Sequence, residues 1–105
     1  MAYVMFQYDR PTDTRRWHEY NGRVRAWIDQ LLAIPGALSF MAYRSIDGAS
    51  PNTTTMLEFR TLDEARSATA SEQIRTVLRD LRAVGAIPRV LVVERSPFTP
   101  EPLRP

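Results

Sequence analysis

The order in which strand-like and helix-like hydrophobic patterns follow one another is the tightest constraint on what this chain can fold into. Residues 2–9, AYVMFQYD, form an apolar and aromatic run that reads as a first strand. Pro11-Thr12-Asp13 punctuates it, and Thr12 or Asp13 can cap a helix. Trp17, Tyr20, Val24, Trp27, Ile28 and Leu31 then recur at spacings of three and four and share one helical face. Gly22 lies within this helix as a weak point, and Ile34-Pro35-Gly36 ends it. A second strand over 37–46 and a third over 53–60 flank Asp47-Gly48, a hairpin signal. Thr61 and Glu64 have capping-box spacing, and Thr69 with Glu72 repeats it, so the next helix is expected to break and restart. Ile74, Val77, Leu78, Leu81 and Val84 form its apolar stripe, closed by Gly85. Residues 89–95 read as a fourth strand.

The resulting order, βαββαβ, predicts an α+β, ferredoxin-like domain over residues 1–96. It has a four-stranded antiparallel sheet with two helices on one face. Residues 97–105, PFTPEPLRP, read as an extended Pro-rich tail. One hundred and five residues suffice for a single core and not for two. The strands carry apolar residues on both alternations: Val4 and Phe6 against Tyr3 and Met5, Phe40 and Ala42 against Met41 and Tyr43. Helices on one face leave the other uncovered, and a second copy of the sheet is the economical cover. A homodimer is therefore expected.

Composition excludes several chemistries. There is no cysteine, so thiol catalysis, disulfides and thiolate metal sites are out, and a cytoplasmic location is the default expectation. His18 is the single histidine, which makes a zinc site of the usual ligands unexpected. All fourteen basic residues are arginine; without lysine the chain cannot form a Schiff base. The arginines run from Arg10 to Arg104 among acids instead of clustering, so nucleic-acid binding is not expected. No apolar run approaches the ~20 residues of a membrane span, and no secretory leader is visible. Phosphate loops, nucleophile elbows and paired-carboxylate motifs are absent. An RNA-recognition motif of the same topology would need glycine-and-aromatic residues on the third strand, where only Phe59 stands.

With these elements in place, the chain resembles the dimeric α+β barrel superfamily, in particular its antibiotic-biosynthesis-monooxygenase-like members, with the EthD-like branch as a neighbour. Ile34-Pro35-Gly36, Tyr43-Arg44-Ser45 with Asp47-Gly48, Leu57-Glu58-Phe59 running into Leu62-Asp63-Glu64-Ala65, and Ser71-Glu72 carry the resemblance. It spans residues 2 to about 96. The resemblance implies sheets paired in a dimeric barrel and a cofactor-independent enzyme, monooxygenase-like or cyclase-like, acting on an aromatic or polyketide-like molecule. The alternative is a non-catalytic ligand-binding or accessory protein of the same fold. Haem-degrading relatives have a tryptophan at the end of the third strand and a haem-ligating histidine on the second helix. Phe59 and Leu78 stand at the corresponding positions, and leucine cannot ligate iron, so no cofactor is expected. EthD-like relatives carry a histidine in the first helix, after a Trp-Tyr pair; Trp17-His18-Glu19-Tyr20-Asn21 has that texture with the histidine displaced.

Histidine alone has an ordinary pKa near neutrality, so His18 is the expected general base, with a plain surface position as its alternative. Tyr43 and Arg44 are the expected oxyanion partners, and Tyr8 is a further phenol near a strand end. Arg44 can instead pair with Glu58 across adjacent strands. Trp17, Tyr20, Trp27, Phe40 and Phe59 are expected to line an aromatic slot between helices and sheet, or else simply to fill the core. Arg75, Arg79 and Arg82 read as a solvated helix face.

Overall fold

A computed structural model describes residues 1–105. Its elements are β1 (Ala2–Tyr8), α1 (Thr14–Leu32), β2 (Ser39–Arg44), β3 (Thr53–Phe59), α2 (Leu62–Thr69), α3 (Glu72–Ala83) and β4 (Arg89–Glu94). The strands form one antiparallel sheet in the order β2-β3-β1-β4. This is the predicted α+β, ferredoxin-like arrangement, with the second helix in two pieces.

Local chemistry explains each boundary. Asp13 caps α1 by accepting the Arg16 N–H at 3.0 Å. The helix then runs through Gly22 without interruption. Thr61 accepts the Glu64 N–H at 3.2 Å and donates to the Glu64 carboxylate at 3.1 Å, which starts α2. The restart falls two residues later than the sequence pattern predicts. Ser71, not Thr69, caps α3 by accepting the Ile74 N–H at 3.2 Å. Thr69 is the last residue of α2, and its hydroxyl donates back to the Arg66 carbonyl at 2.6 Å. Gly36 has φ +89°, a left-handed backbone that favours glycine; a Cβ there would meet only the flexible tip of Glu64, at 2.5 Å.

Register assigns the two faces of the sheet. Ala2, Val4, Phe6 and Tyr8 lie opposite Phe59, Leu57, Thr55 and Thr53, and all eight are buried. This face carries the helices: α2 lies over β1, β3 and β4, while α1 reaches β2 and packs on α3. Trp27 Nε1 donates to Asp80 Oδ2 at 3.2 Å, and Arg23 approaches the same carboxylate at 3.6 Å, so Asp80 ties α1 to α3. On the other face stand Tyr3, Met5, Met41, Tyr43, Met56, Leu91 and Val93, rimmed by Gln7, Ser39, Thr54, Glu58 and Arg89. Met41 is 55% exposed and Tyr43 59%. No helix covers this side.

The same register corrects one expected contact. Arg44 pairs with Thr53 and Ser39 with Glu58, so Arg44 and Glu58 sit at opposite ends of the β2–β3 ladder and do not meet. Glu58 instead accepts from the Ser39 hydroxyl at 3.1 Å and the Tyr3 hydroxyl at 3.4 Å. No helix is long and apolar enough to cross a membrane.

Candidate functional site

Between α1 and the sheet the helix-side core is incompletely filled. A cavity of about 90 Å³ remains, with Phe6, Trp27, Leu31, Val77 and Leu81 among its buried walls. Val24, Ile28 and Phe40, half-buried, and Ala42, exposed, also line it, so the cavity opens along the seam between α1 and β2. The physical reason lies in β2. At the cavity its helix-facing positions are Phe40 and the small Ala42, and α1 has only light contact with this strand.

Four hydroxyl-bearing residues, Tyr8, Tyr20, Thr53 and Thr55, are the polar part of the lining; no carboxylate, guanidinium or imidazole belongs to it. Tyr8 and Tyr20 are 8% and 6% exposed, and their hydroxyl oxygens lie 2.7 Å apart. Either oxygen can donate, and the one that accepts keeps its own proton free for a third group. The Thr53 hydroxyl is occupied, donating to Asn52 Oδ1 at 3.1 Å.

Aromatic packing fixes the Tyr20 ring. It stacks on Trp17 at 5.8 Å, meets Trp27 at 5.7 Å and takes Tyr8 edge-on at 6.1 Å. The spacing of Trp17, Tyr20 and Trp27 on one face of α1 is what brings the three rings together.

Electrostatics make the pair a donor and not a base. Burial pushes the Tyr8 phenol far above its ordinary range, and the Tyr20 bond and charge add to the rise. Burial likewise raises Tyr20, although the bond from Tyr8 works in the opposite direction. Arg10 lies close enough for its charge to favour the ionised form of both. Its position is fixed by Asn52, whose Oδ1 accepts from the Arg10 backbone N–H at 3.0 Å and from Nε at 3.4 Å. Asn52 in turn is held by Asp9, which accepts its backbone N–H at 2.9 Å and the Ser50 hydroxyl at 2.6 Å.

The structure brings together some of the expected site residues and separates others. Tyr20, Trp27 and Phe40 line the cavity. Trp17, 37% exposed, stands outside it as the plate behind Tyr20. Phe59 is fully buried and is not part of the lining. His18 is exposed on the first turns of α1, outside the lining, because it follows Trp17 by one residue and so turns away from the apolar face. Tyr43 points to the helix-free side of the sheet, as its pairing with Thr54 requires. Arg44 is on the helix side but exposed at the end of β2, beyond the lining. Arg10, Thr53 and Thr55 were not expected in the site. The strand alternation that runs through Val4 and Phe6 to Tyr8, and through Phe59 and Leu57 to Thr55 and Thr53, is the signal that finds the two threonines. Arg10 follows the strand in a loop, where no periodicity applies.

No protein-family model and no curated protein sequence matches the chain. Solved structures do. An EthD-family protein from Bacillus halodurans superposes with TM-score 0.67 at 17% identity, covering 91% of this chain and 99% of that one. A variant of SnoaB, a cofactor-independent oxygenase from Streptomyces nogalater, superposes with TM-score 0.68 at 15% identity, covering 95% and 97%. An antibiotic biosynthesis monooxygenase-like protein from Bordetella bronchiseptica gives 0.63 at 13% identity, covering 90% and 97%. At such identities the likeness establishes the fold: it is the ferredoxin-like α+β fold of EthD-family and antibiotic biosynthesis monooxygenase-like proteins.

Proposed function

We propose that this protein is a cofactor-independent, monooxygenase-like enzyme that binds an aromatic or polyketide-like molecule in the cavity between α1 and the sheet. The observation that carries this reading is the buried Tyr8–Tyr20 hydroxyl pair, at 2.7 Å, in a cavity whose lining is otherwise almost wholly apolar. The apolar walls hold a ring, and the free proton of the pair meets an oxygen attached to it. Charge that develops on that oxygen during the reaction gains from the pair and from the field of Arg10, at the buried end of the cavity. A second oxygen on the ring, a phenol or enol hydroxyl left at the open rim, would lose its proton to water there. A ring carbon of that anion would then form a C–O bond to dioxygen, the oxidant, and the peroxide would take a proton from water. Loss of the carbon's hydrogen with cleavage of the O–O bond releases one water and leaves a quinone carbonyl.

The proposed protein is a homodimer in which the helix-free faces of two sheets meet. The apolar cluster of Tyr3, Met5, Met41, Tyr43, Met56, Leu91 and Val93, with its polar rim, supports this arrangement.

A second reading has its own support. No group lining the cavity takes up a proton at neutral pH, since both tyrosines are pushed up and no other lining side chain ionises. A binding or accessory protein without turnover fits that lining as well. Oxygen uptake, measured with a panel of electron-rich phenols and hydroquinones, separates the two. Uptake above the uncatalysed rate that drops in Tyr20→Phe supports the enzyme. Ligand binding without any added uptake supports the accessory protein.

A further inference from the structure

We propose that this cavity selects an uncharged, single-ring aromatic ligand and seats its hydroxyl or carbonyl oxygen on the Tyr8–Tyr20 hydroxyl pair. The proposal rests on the reading that the cavity is the ligand site, and it narrows the ligand to one class.

Size sets the first limit. The cavity measures about 90 Å³. An apolar cavity of about 150 Å³ takes a benzene molecule, and drug-sized ligands occupy pockets of about 300–1,000 Å³. The enclosed part is smaller than one ring needs, so a single ring seats there only with its outer edge in the open seam. Phe6, Trp27, Leu31, Val77 and Leu81 belong to the packed core and cannot withdraw without opening voids elsewhere. A fused second ring could extend only outward, past Val24, Ile28, Phe40 and Ala42, where it would remain in water.

Charge sets the second limit. A carboxylate or ammonium in this cavity would lose its hydration with no charged lining group to meet it. Arg10 acts on the hydroxyl pair from outside the lining, so it biases the pair without being part of the wall that meets the ligand.

Polarity sets the orientation. Four hydroxyl-bearing residues interrupt an otherwise apolar lining, and the hydroxyl pair has one proton to give. A ring with an acceptor oxygen would satisfy that proton and leave its apolar edge against the leucines and Trp27.

Calorimetric titration of the intact protein with four probes tests each limit: 4-methylphenol, toluene, 2-naphthol and benzoate. The expected order has 4-methylphenol binding at least about tenfold tighter than 2-naphthol, and benzoate giving no measurable heat. The double variant Tyr8→Phe/Tyr20→Phe should weaken 4-methylphenol by about three- to tenfold, the worth of a neutral hydrogen bond, and leave toluene within about twofold. Retained toluene binding also shows that the variant has folded; the probe series on the unaltered protein stands whether it folds or not. Naphthol or benzoate binding as tightly as 4-methylphenol would overturn the size or charge limit. Equal weakening of methylphenol and toluene would overturn the seating on the hydroxyl pair. If none of the four binds, the cavity is not a ligand site, and the underlying functional reading falls with the proposal.

Discussion

At the scale of single residues, the site depends on which of two strand alternations faces the helices. Apolar residues stand on both, so hydrophobicity alone leaves Tyr8 and Tyr43 equivalent. The polar residues decide: Gln7 in β1 and Glu58 in β3 mark the outer face, which places Tyr8 inside and, through the ladder, Tyr43 outside. His18 was attractive for its chemistry, but chemistry did not determine its direction; one step of about 100° from Trp17 carries it into solvent. The Tyr8–Tyr20 contact joins two elements and is visible only once they pack. It predicts a stability effect. Tyr20→Phe leaves the Tyr8 hydroxyl without its partner and should cost about 1–2 kcal/mol. In a domain of this size that lowers the thermal midpoint by about 4–8 °C per kcal/mol, read by circular dichroism. An unchanged midpoint would mean that water replaces the bond at no cost.

At the scale of elements, the strands, the helices and the break in the second helix were legible, because each is encoded by a period or a cap within a few residues. The cap after the break lies two residues later than the spacing predicts. Thr69 and Ser71 both stand within three residues before Glu72, so local spacing offers two caps for one helix start. The clasp of Asp9 on Ser50 and Asn52 was not legible, since its members lie over forty residues apart. It matters because it holds the residue that positions Arg10. Hydrogen bonds from the Ser50 hydroxyl and the Asn52 N–H hold the Asp9 carboxyl below its ordinary value of 3.8. A depressed folded-state pKa contributes stability that is complete above the unfolded value and is lost as pH falls through the folded one. The Asn52 amide should therefore stay protected from hydrogen exchange down to about that ordinary value and loosen only in stronger acid. Asp9→Asn should remove this acid dependence. Loss of protection already at neutral pH in the unaltered protein would contradict the clasp.

At the scale of the whole molecule, one side of the sheet is buried under helices and the other displays an apolar cluster with a polar rim. The proposed dimer follows from that asymmetry. Met56 lies on a central strand of the open face, opposite Met5 on one side and Met41 on the other. Met56→Glu places a charge at the centre of the proposed interface, where an unpaired buried charge is costly, and touches none of the helix-side core. Native mass spectrometry should show the unaltered protein as a dimer and the variant as a monomer of unchanged secondary structure. A monomer in both cases would contradict the arrangement. The fold and the uncovered face were readable because both follow from patterning. The cavity was not, because it arises from a mismatch between the reach of α1 and the small side chain of Ala42.

The central claim is that a small aromatic molecule binds between α1 and the sheet, and amide and indole chemical shifts test it most directly. With 4-methylphenol added to isotopically labelled protein, the largest changes should fall on Val24, Ile28, Leu31, Thr53, Thr55 and the Trp27 indole N–H, all at the cavity. Changes concentrated on Met41, Met56 and Leu91, or none at saturating ligand, would contradict it.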